Sequence, residues 1–165
     1  MKCTNWLNRV LENRELRTKR QRELYERYNS TLLSLTINIP GHKKSTNEAK
    51  IIYDEALKEI EKLNIEILEK ILTSKETGYE AIYALHVEPI KLKQAACKIE
   101  ENHPLGRFMD IDVLDCNGKI LSRGHSRKCY LCDDFAKNCA RSQKHSCEEL
   151  QKYINKSVND FRFSL

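Results

Sequence analysis

Asp110 and Asp112 stand two residues apart in a segment where apolar side chains alternate with them, namely Met109, Ile111 and Val113. Such alternation is typical of a β-strand, in which successive side chains point to opposite faces. Both carboxylates therefore lie on one face, with Cα atoms about 7 Å apart. A hard cation such as Mg²⁺ binds between neighbouring carboxylates and can stabilise a phosphoryl group during displacement. From the spacing alone, both aspartates simply face water, and a magnesium site is the alternative that the neighbouring residues favour.

The residues just before this pair favour a site for phosphate groups. They are His103-Pro104-Leu105-Gly106-Arg107. Gly106 permits a close approach of the backbone, and the Arg107 guanidinium can donate two parallel hydrogen bonds to a phosphate. Glu80, in another predicted strand, is a candidate third carboxylate for the metal, and an ordinary exposed strand residue is an equal alternative.

A second group of residues with metal-binding chemistry lies in the cysteine-rich segment 129–147. Its spacing is Cys129-x2-Cys132-x6-Cys139-x5-His145. Two cysteines separated by two residues form a turn that binds one Zn²⁺, and four such ligands complete a tetrahedron. A zinc ion here would be structural, because four protein ligands leave no position for a substrate. The alternative, which the spacing leaves equally open, is a set of buried cysteines that pack a helix.

Positive charge is concentrated in the same part of the chain. The protein has 165 residues and a net charge of +5, and residues 119–145 hold seven basic and two acidic side chains. This segment therefore accounts for the whole excess, and it predicts either a solvated basic face or contact with an anionic partner. A zinc-stabilised module that binds nucleic acid is the alternative function, but Tyr130 and Phe135 are the only aromatic residues there for stacking on bases.

The elements that must position these residues form a mixed pattern. It predicts a single α+β domain over residues 1–165, with about four strands and flanking helices. The predicted strands are 32–39, 79–87, 107–115 and 119–123, the last two joined by the hairpin signal Asn117-Gly118. The predicted helices are 5–28, a long helix from the capping box Ser45-x-x-Glu48 through Ile71, a third from Pro89 to His103, and a fourth from the capping box at Ser146.

Composition excludes several classes of protein. Hydrophobic residues make up 40 % of the chain and charged residues 32 %, which is typical of a globular domain. No apolar run approaches the roughly 18 residues of a membrane helix, and the charged N-terminus lacks the apolar stretch of a signal peptide. We therefore predict a cytoplasmic protein without a membrane partner. The seven cysteines then suggest metal binding or burial before disulfides.

Four segments carry a family resemblance, and they occur in this order: Pro40-Gly41-His42-Lys43-Lys44, the run from His103 to Leu114, Leu121-Ser122-Arg123, and the run from Arg127 to His145. Together they closely resemble the apo-citrate lyase phosphoribosyl-dephospho-CoA transferase family, also called holo-citrate lyase acyl-carrier-protein synthase. The resemblance extends from about Arg20 to Leu150, and its most specific motif is the string from His103 to Val113.

The resemblance implies a reaction and its partners. Enzymes of this family transfer the triphosphoribosyl-dephospho-CoA precursor onto a serine of the apo acyl carrier subunit of citrate lyase, with release of diphosphate. This nucleotidyltransferase chemistry implies a nucleotidyltransferase-like active strand, in which Asp110 and Asp112 are the catalytic, Mg²⁺-binding carboxylates, and it implies no nucleic-acid partner. The implied substrate-binding residues are Lys44, His103, Gly106, Arg107 and Arg123.

Overall fold

An antiparallel sheet organises the chain. Within residues 2–164, which the computed structural model describes, four strands form this sheet. They are β1 (Thr31–Ile37), β2 (Ile67–Lys75), β3 (Gly78–Leu85) and β4 (Met109–Leu114). The order across the sheet is β2-β3-β1-β4, so β4, which carries the aspartate pair, is an edge strand.

Five α-helices of the described range surround the sheet. They are α1 (Lys2–Tyr28), α2 (Asn47–Glu61), α3 (Pro89–Asn102), α4 (Ala136–Ser142) and α5 (Cys147–Phe163). The predicted α+β class is therefore confirmed. Each helix within residues 2–164 falls short, in length or in apolar character, of what a bilayer-spanning segment requires.

The two faces of the sheet bury different apolar clusters. The larger cluster lies between the sheet and helices α2, α3 and α5, and its members include Leu33, Tyr83, Ile111, Ile52 and Ile154. The smaller cluster lies under α1 and consists of Leu24, Leu32, Ile82, Ala84 and Leu114. Because side chains alternate along β4, its buried residues Met109, Ile111 and Val113 face the larger cluster, and the two aspartates point to the α1 side.

The predicted long helix through Ile71 is wrong, because α2 ends at Glu61. Lys62 is its C-cap, and Asn64, two residues further on, has a φ of 52°, a left-handed conformation in which a helix does not continue. The apolar residues beyond it belong to β2, which pairs with β3 over residues 67–75. The capping residue of α2 also differs from the prediction, since the Thr46 side chain, not that of Ser45, accepts a hydrogen bond of 3.1 Å from the Ala49 N–H.

The predicted return strand 119–123 is also wrong. The Asn117-Gly118 turn does form, and the Gly118 N–H donates to the Asp115 carbonyl at 2.9 Å. Pairing with β4 is limited to one bridge between Ile120 and Leu114. Beyond this bridge the chain leaves β4, and Arg123 forms an ion pair with Glu100 on α3. The fourth strand of the sheet is therefore β2, not the segment 119–123.

Gly106 opens a short 3-10 turn, Gly106–Phe108, directly before β4. A Cβ atom at this position would lie 2.5 Å from the carbonyl oxygens of both Ile99 and Glu100. A close approach of the backbone therefore exists at Gly106, and it is made to the last turn of α3. The glycine fixes where β4 begins relative to α3.

Candidate active site

The aspartate pair occupies the α1 side of β4. Asp110 lies opposite Thr36 of β1, and Asp112 lies opposite Ser34. Asp110 is exposed and Asp112 is half-buried. The pKa of Asp112 is raised, first by burial and then by the charge of Asp110. The two carboxylates therefore repel each other across one strand face, and a cation between them would relieve that repulsion.

A cavity of about 730 Å³ lies beside both aspartates. It is bounded by the edge of β4, by α3, by the loop that follows Asn117, and by the start of α4. Four basic side chains line it: Lys93, Arg123, Arg127 and Lys137. Three carboxylates also line this cavity, those of Glu100, Asp110 and Asp112. Four basic side chains around the aspartate pair suit a ligand that carries both phosphates and a metal ion.

A smaller cavity of about 270 Å³ lies on the other side of Asp110, between α1 and the sheet. Its basic residues are Arg14, Arg17 and Lys44. The pKa of Lys44 is lowered, chiefly by burial, and its ammonium donates to the Ile39 carbonyl. Asp110 therefore borders two cavities, each lined by basic side chains.

Two arginines of α1 that line the smaller cavity, Arg14 and Arg17, were not predicted as site residues from the sequence. A signal for them was present, because Val10, Asn13, Arg14 and Arg17 follow the spacing of one helix face, and all four line the smaller cavity. Because the apolar periodicity of this helix is weak, the sequence did not indicate which face of α1 packs toward the sheet.

Glu80, the candidate third carboxylate, lies on β3, with the Thr36 position of β1 between it and Asp110. Two strand spacings place the two backbones about 10 Å apart. The Glu80 side chain forms an ion pair with Arg17 and accepts a hydrogen bond of 2.9 Å from Asn13. An ion pair satisfies this carboxylate, so we leave Glu80 out of the magnesium site.

Glu100, on α3, was also missed, and it organises the edge of β4. The residue is only 3 % exposed. Its carboxylate forms ion pairs with Arg123 and Arg127 and accepts a hydrogen bond of 2.9 Å from the Ile111 N–H. Arg127 also donates to the Met109 carbonyl at 3.1 Å. Both arginines are thereby fixed at the wall of the larger cavity.

The remaining predicted substrate contacts lie elsewhere. His103 accepts a hydrogen bond of 3.0 Å from the Leu105 N–H and packs against Phe161, with a centroid distance of 5.4 Å. Burial lowers its pKa. Arg107 donates to the Lys128 carbonyl. Neither side chain lines the two cavities beside Asp110, so the structure brings Lys44 and Arg123 to the aspartates but not His103, Gly106 or Arg107.

The cysteine-rich segment forms a compact cluster that could hold a metal ion. The ligand atoms of Cys129, Cys132, Cys139 and His145 all lie within 4.8 Å of one another. Cys132 Sγ is 3.4 Å from Cys139 Sγ and 3.3 Å from His145 Nε2. The pKa of Cys132 is lowered, first by the Asp134 N–H and then by His145, which favours the thiolate form.

Comparison with known proteins identifies relatives over nearly the whole chain. A family model described as apo-citrate lyase phosphoribosyl-dephospho-CoA transferase matches residues 5–161. A Vibrio cholerae protein named as a probable transferase of that description is 35 % identical, over 94 % of this chain and 92 % of its own length. A Streptococcus pyogenes protein of the same name is 36 % identical, over 94 % of this chain and 86 % of its own length.

The Glu100 contacts predict a large effect on stability. Glu100→Ala leaves two arginines without their buried partner, and we expect it to lower the free energy of unfolding by about 3–5 kcal/mol. Glu101→Ala is the matched control: its side chain is 48 % exposed, and we expect a loss below about 1 kcal/mol. Urea denaturation measures both. Equal losses in the two variants would show that Glu100 does not hold the edge of β4.

Proposed function

The chain belongs to the apo-citrate lyase phosphoribosyl-dephospho-CoA transferase family, and on that basis we propose that it transfers the prosthetic-group precursor triphosphoribosyl-dephospho-CoA onto a serine of the apo acyl carrier subunit of citrate lyase. The observation that carries this proposal is the position of Asp110 between two cavities lined by basic side chains. A nucleic-acid-binding module, the alternative, would leave the aspartate pair and both cavities without a role.

The proposed reaction is a single displacement at phosphorus. The serine oxygen of the carrier forms a bond to the α-phosphorus of the triphosphate. The bond from this phosphorus to the oxygen that bridges to the β-phosphate breaks, and diphosphate leaves. The serine proton passes to solvent, and a phosphodiester joins the prosthetic group to the carrier. Negative charge grows on the leaving diphosphate, which nearby cationic side chains stabilise.

The larger cavity suits the triphosphate. Lys93, Arg123 and Arg127 stand at its wall beside the aspartates. Arg123 and Arg127 are fixed by Glu100, so they can meet the phosphates without first losing side-chain freedom. A guanidinium offers five N–H donors, and those that Glu100 and the Met109 carbonyl do not engage remain for phosphate oxygens.

The smaller cavity suits a second anionic group of the same molecule. The dephospho-CoA part of the precursor contains a diphosphate in addition to the triphosphate on the ribose. Arg14 and Lys44 line the smaller cavity, and Arg17 is shared there with Glu80. We assign this cavity to the diphosphate, so that the precursor extends past Asp110 on both sides.

Asp110 and Asp112 are the proposed Mg²⁺ ligands. Their donor set fits the ion, because both are carboxylates on one strand face. The pKa of Asp112 is raised, first by burial and then by the charge of Asp110. When bound, Mg²⁺ neutralises phosphate charge and lowers the pKa of a coordinated hydroxyl. The cysteine cluster does not suit this ion, because thiolates are soft ligands that favour zinc. We place the protein in the cytoplasm, where such thiols stay reduced.

The basic segment 119–145 is the proposed docking face for the carrier subunit. Acyl carrier domains are generally acidic, and opposite charges accelerate association. Arg127 is not available for this role, since it is engaged by Glu100. Lys128, Lys137 and Arg141 are exposed and provide the positive charge of the surface.

The aspartate assignment predicts a loss of activity without a loss of fold. Asp110→Asn and Asp112→Asn should each slow transfer by about 10²–10³-fold or more, because each removes charge from the metal site. Their free energies of unfolding should stay within about 0.5 kcal/mol of wild type. Asp160→Asn, at an exposed position of α5, is the control and should transfer normally. The initial rate of diphosphate release measures all three, and near-wild-type rates in both site variants would refute the assignment.

The docking assignment predicts a change in association rate. The double variant Lys128→Glu with Arg141→Glu should bind the apo carrier subunit about tenfold more slowly, with a weaker dependence on salt. Lys152→Glu with Lys156→Glu changes the net charge equally at exposed positions outside the segment. Stopped-flow association at two ionic strengths distinguishes an effect of charge at the docking face from an effect of the net charge of the protein. If both double variants behave alike, the carrier docks elsewhere.

A further inference from the structure

The geometry of the cysteine cluster matches a closed zinc site. In a tetrahedron with Zn–S bonds of about 2.3 Å, neighbouring ligand atoms lie about 3.5–3.8 Å apart. The Cys132–Cys139 and Cys132–His145 distances are 3.4 and 3.3 Å, and all four ligand atoms lie within 4.8 Å. The sulfurs are therefore close to the positions that such an ion requires.

The backbone of the segment supports anionic sulfur. The Leu131 N–H donates to Cys129 Sγ, with a distance of 3.4 Å. The turn that carries both cysteines is closed by a bond of 2.7 Å from the Cys129 N–H to the Asp134 carbonyl. Amide donors to sulfur are outer-shell contacts that orient metal ligands. A disulfide between Cys132 and Cys139 would leave Cys129 and His145 without a function.

The segment also lacks a hydrophobic core of its own. Across residues 115–147 only Cys139 is buried. The metal-ligating residues come from three separate pieces: the turn with Cys129 and Cys132, helix α4 with Cys139, and the loop before α5 with His145. Short segments with so little burial need a disulfide or a metal ion to hold one conformation.

This segment is joined directly to the catalytic strand. A bridge between Lys128 and Phe135 makes residues 127–136 a small hairpin. At its base, Arg127 contacts Glu100 and the Met109 carbonyl, and the Lys128 carbonyl accepts from Arg107. Tyr130, between the two cysteines, stacks on Tyr153 of α5 at 5.0 Å. Its ring also packs against Phe108, just before β4, at 5.6 Å.

We propose that Cys129, Cys132, Cys139 and His145 bind one structural Zn²⁺ ion, which holds the hairpin 127–136 against β4 and so positions Arg127 at the larger cavity. Three thiolates and an imidazole select zinc over magnesium. Four protein ligands leave no open coordination position, so the ion takes no part in the displacement. The proposal does not depend on the transfer reaction, because its tests measure metal content and amide exchange.

Metal content is the first test. Protein purified under reducing conditions should contain about one zinc per chain, and Co²⁺ exchanged into the site should give the absorption of tetrahedral thiolate coordination. Cys132→Ser should lower zinc affinity by more than about 100-fold. This loss is larger than the one expected when only a hydrogen-bond partner of a metal ligand is removed. Cys116→Ser, at an exposed cysteine outside the cluster, should retain the full zinc content. Wild-type protein that binds neither zinc nor Co²⁺ would overturn the proposal.

Amide hydrogen exchange tests the structural role in the wild-type chain. Chelation of the zinc should speed exchange at the Cys129 and Ala136 amides, which are hydrogen-bonded within the hairpin, by about tenfold or more. Amides of α2, remote from the cluster, serve as the internal control and should not change. Zinc that can be removed without any change in hairpin exchange would show that the ion does not hold this segment.

Discussion

The buried carboxylate of Glu100 is the interaction on which the arrangement of this protein depends. Transfer of a carboxylate out of water is costly unless it is paired and hydrogen-bonded. Glu100 meets that requirement with two arginines from a later part of the chain and with the Ile111 N–H of β4. One group therefore links helix α3, the edge of the sheet and the loop that follows the sheet.

The Glu100 contacts also determine what the outer edge of β4 binds. An edge strand has one row of backbone groups without a strand partner, which invites pairing with another chain. Here side chains satisfy part of that row: Lys93 donates to the Ile111 carbonyl, and Arg127 donates to the Met109 carbonyl. The outer edge of β4 thus becomes the wall of a basic cavity, while Asp110 and Asp112 project from its face. The basic side chains therefore line the outer edge of β4, and the two carboxylates lie on the adjoining face of the same strand.

Local patterns in the sequence predicted the parts of the site that depend on local geometry. Alternation along β4 placed both aspartates on one face, and the capping box at Ser146 forms with both of its hydrogen bonds. Contacts between distant segments escaped prediction. Glu100 follows the ordinary pattern of a charged helix end, and nothing near it in the chain indicates that Arg123 and Arg127 will meet it.

The error at β2 has the same origin. Ile67 and Ile71 continue the apolar spacing of α2, so local periodicity cannot separate strand from helix there. Pairing with β3 decides the outcome, and that pairing is a property of the sheet as a whole. The cysteine cluster is the intermediate case: its spacing suggested a site, and the fold brings the four ligand atoms together from three pieces of chain.

The intact mass of the carrier subunit tests the proposed displacement most directly. The wild-type protein is incubated with apo acyl carrier subunit, triphosphoribosyl-dephospho-CoA and Mg²⁺, and the carrier is then weighed by mass spectrometry. The carrier should gain the mass of the precursor less diphosphate, once per carrier chain. An unmodified carrier, or a gain that retains the whole triphosphate, would contradict displacement at the α-phosphorus and with it the role assigned to the aspartate pair.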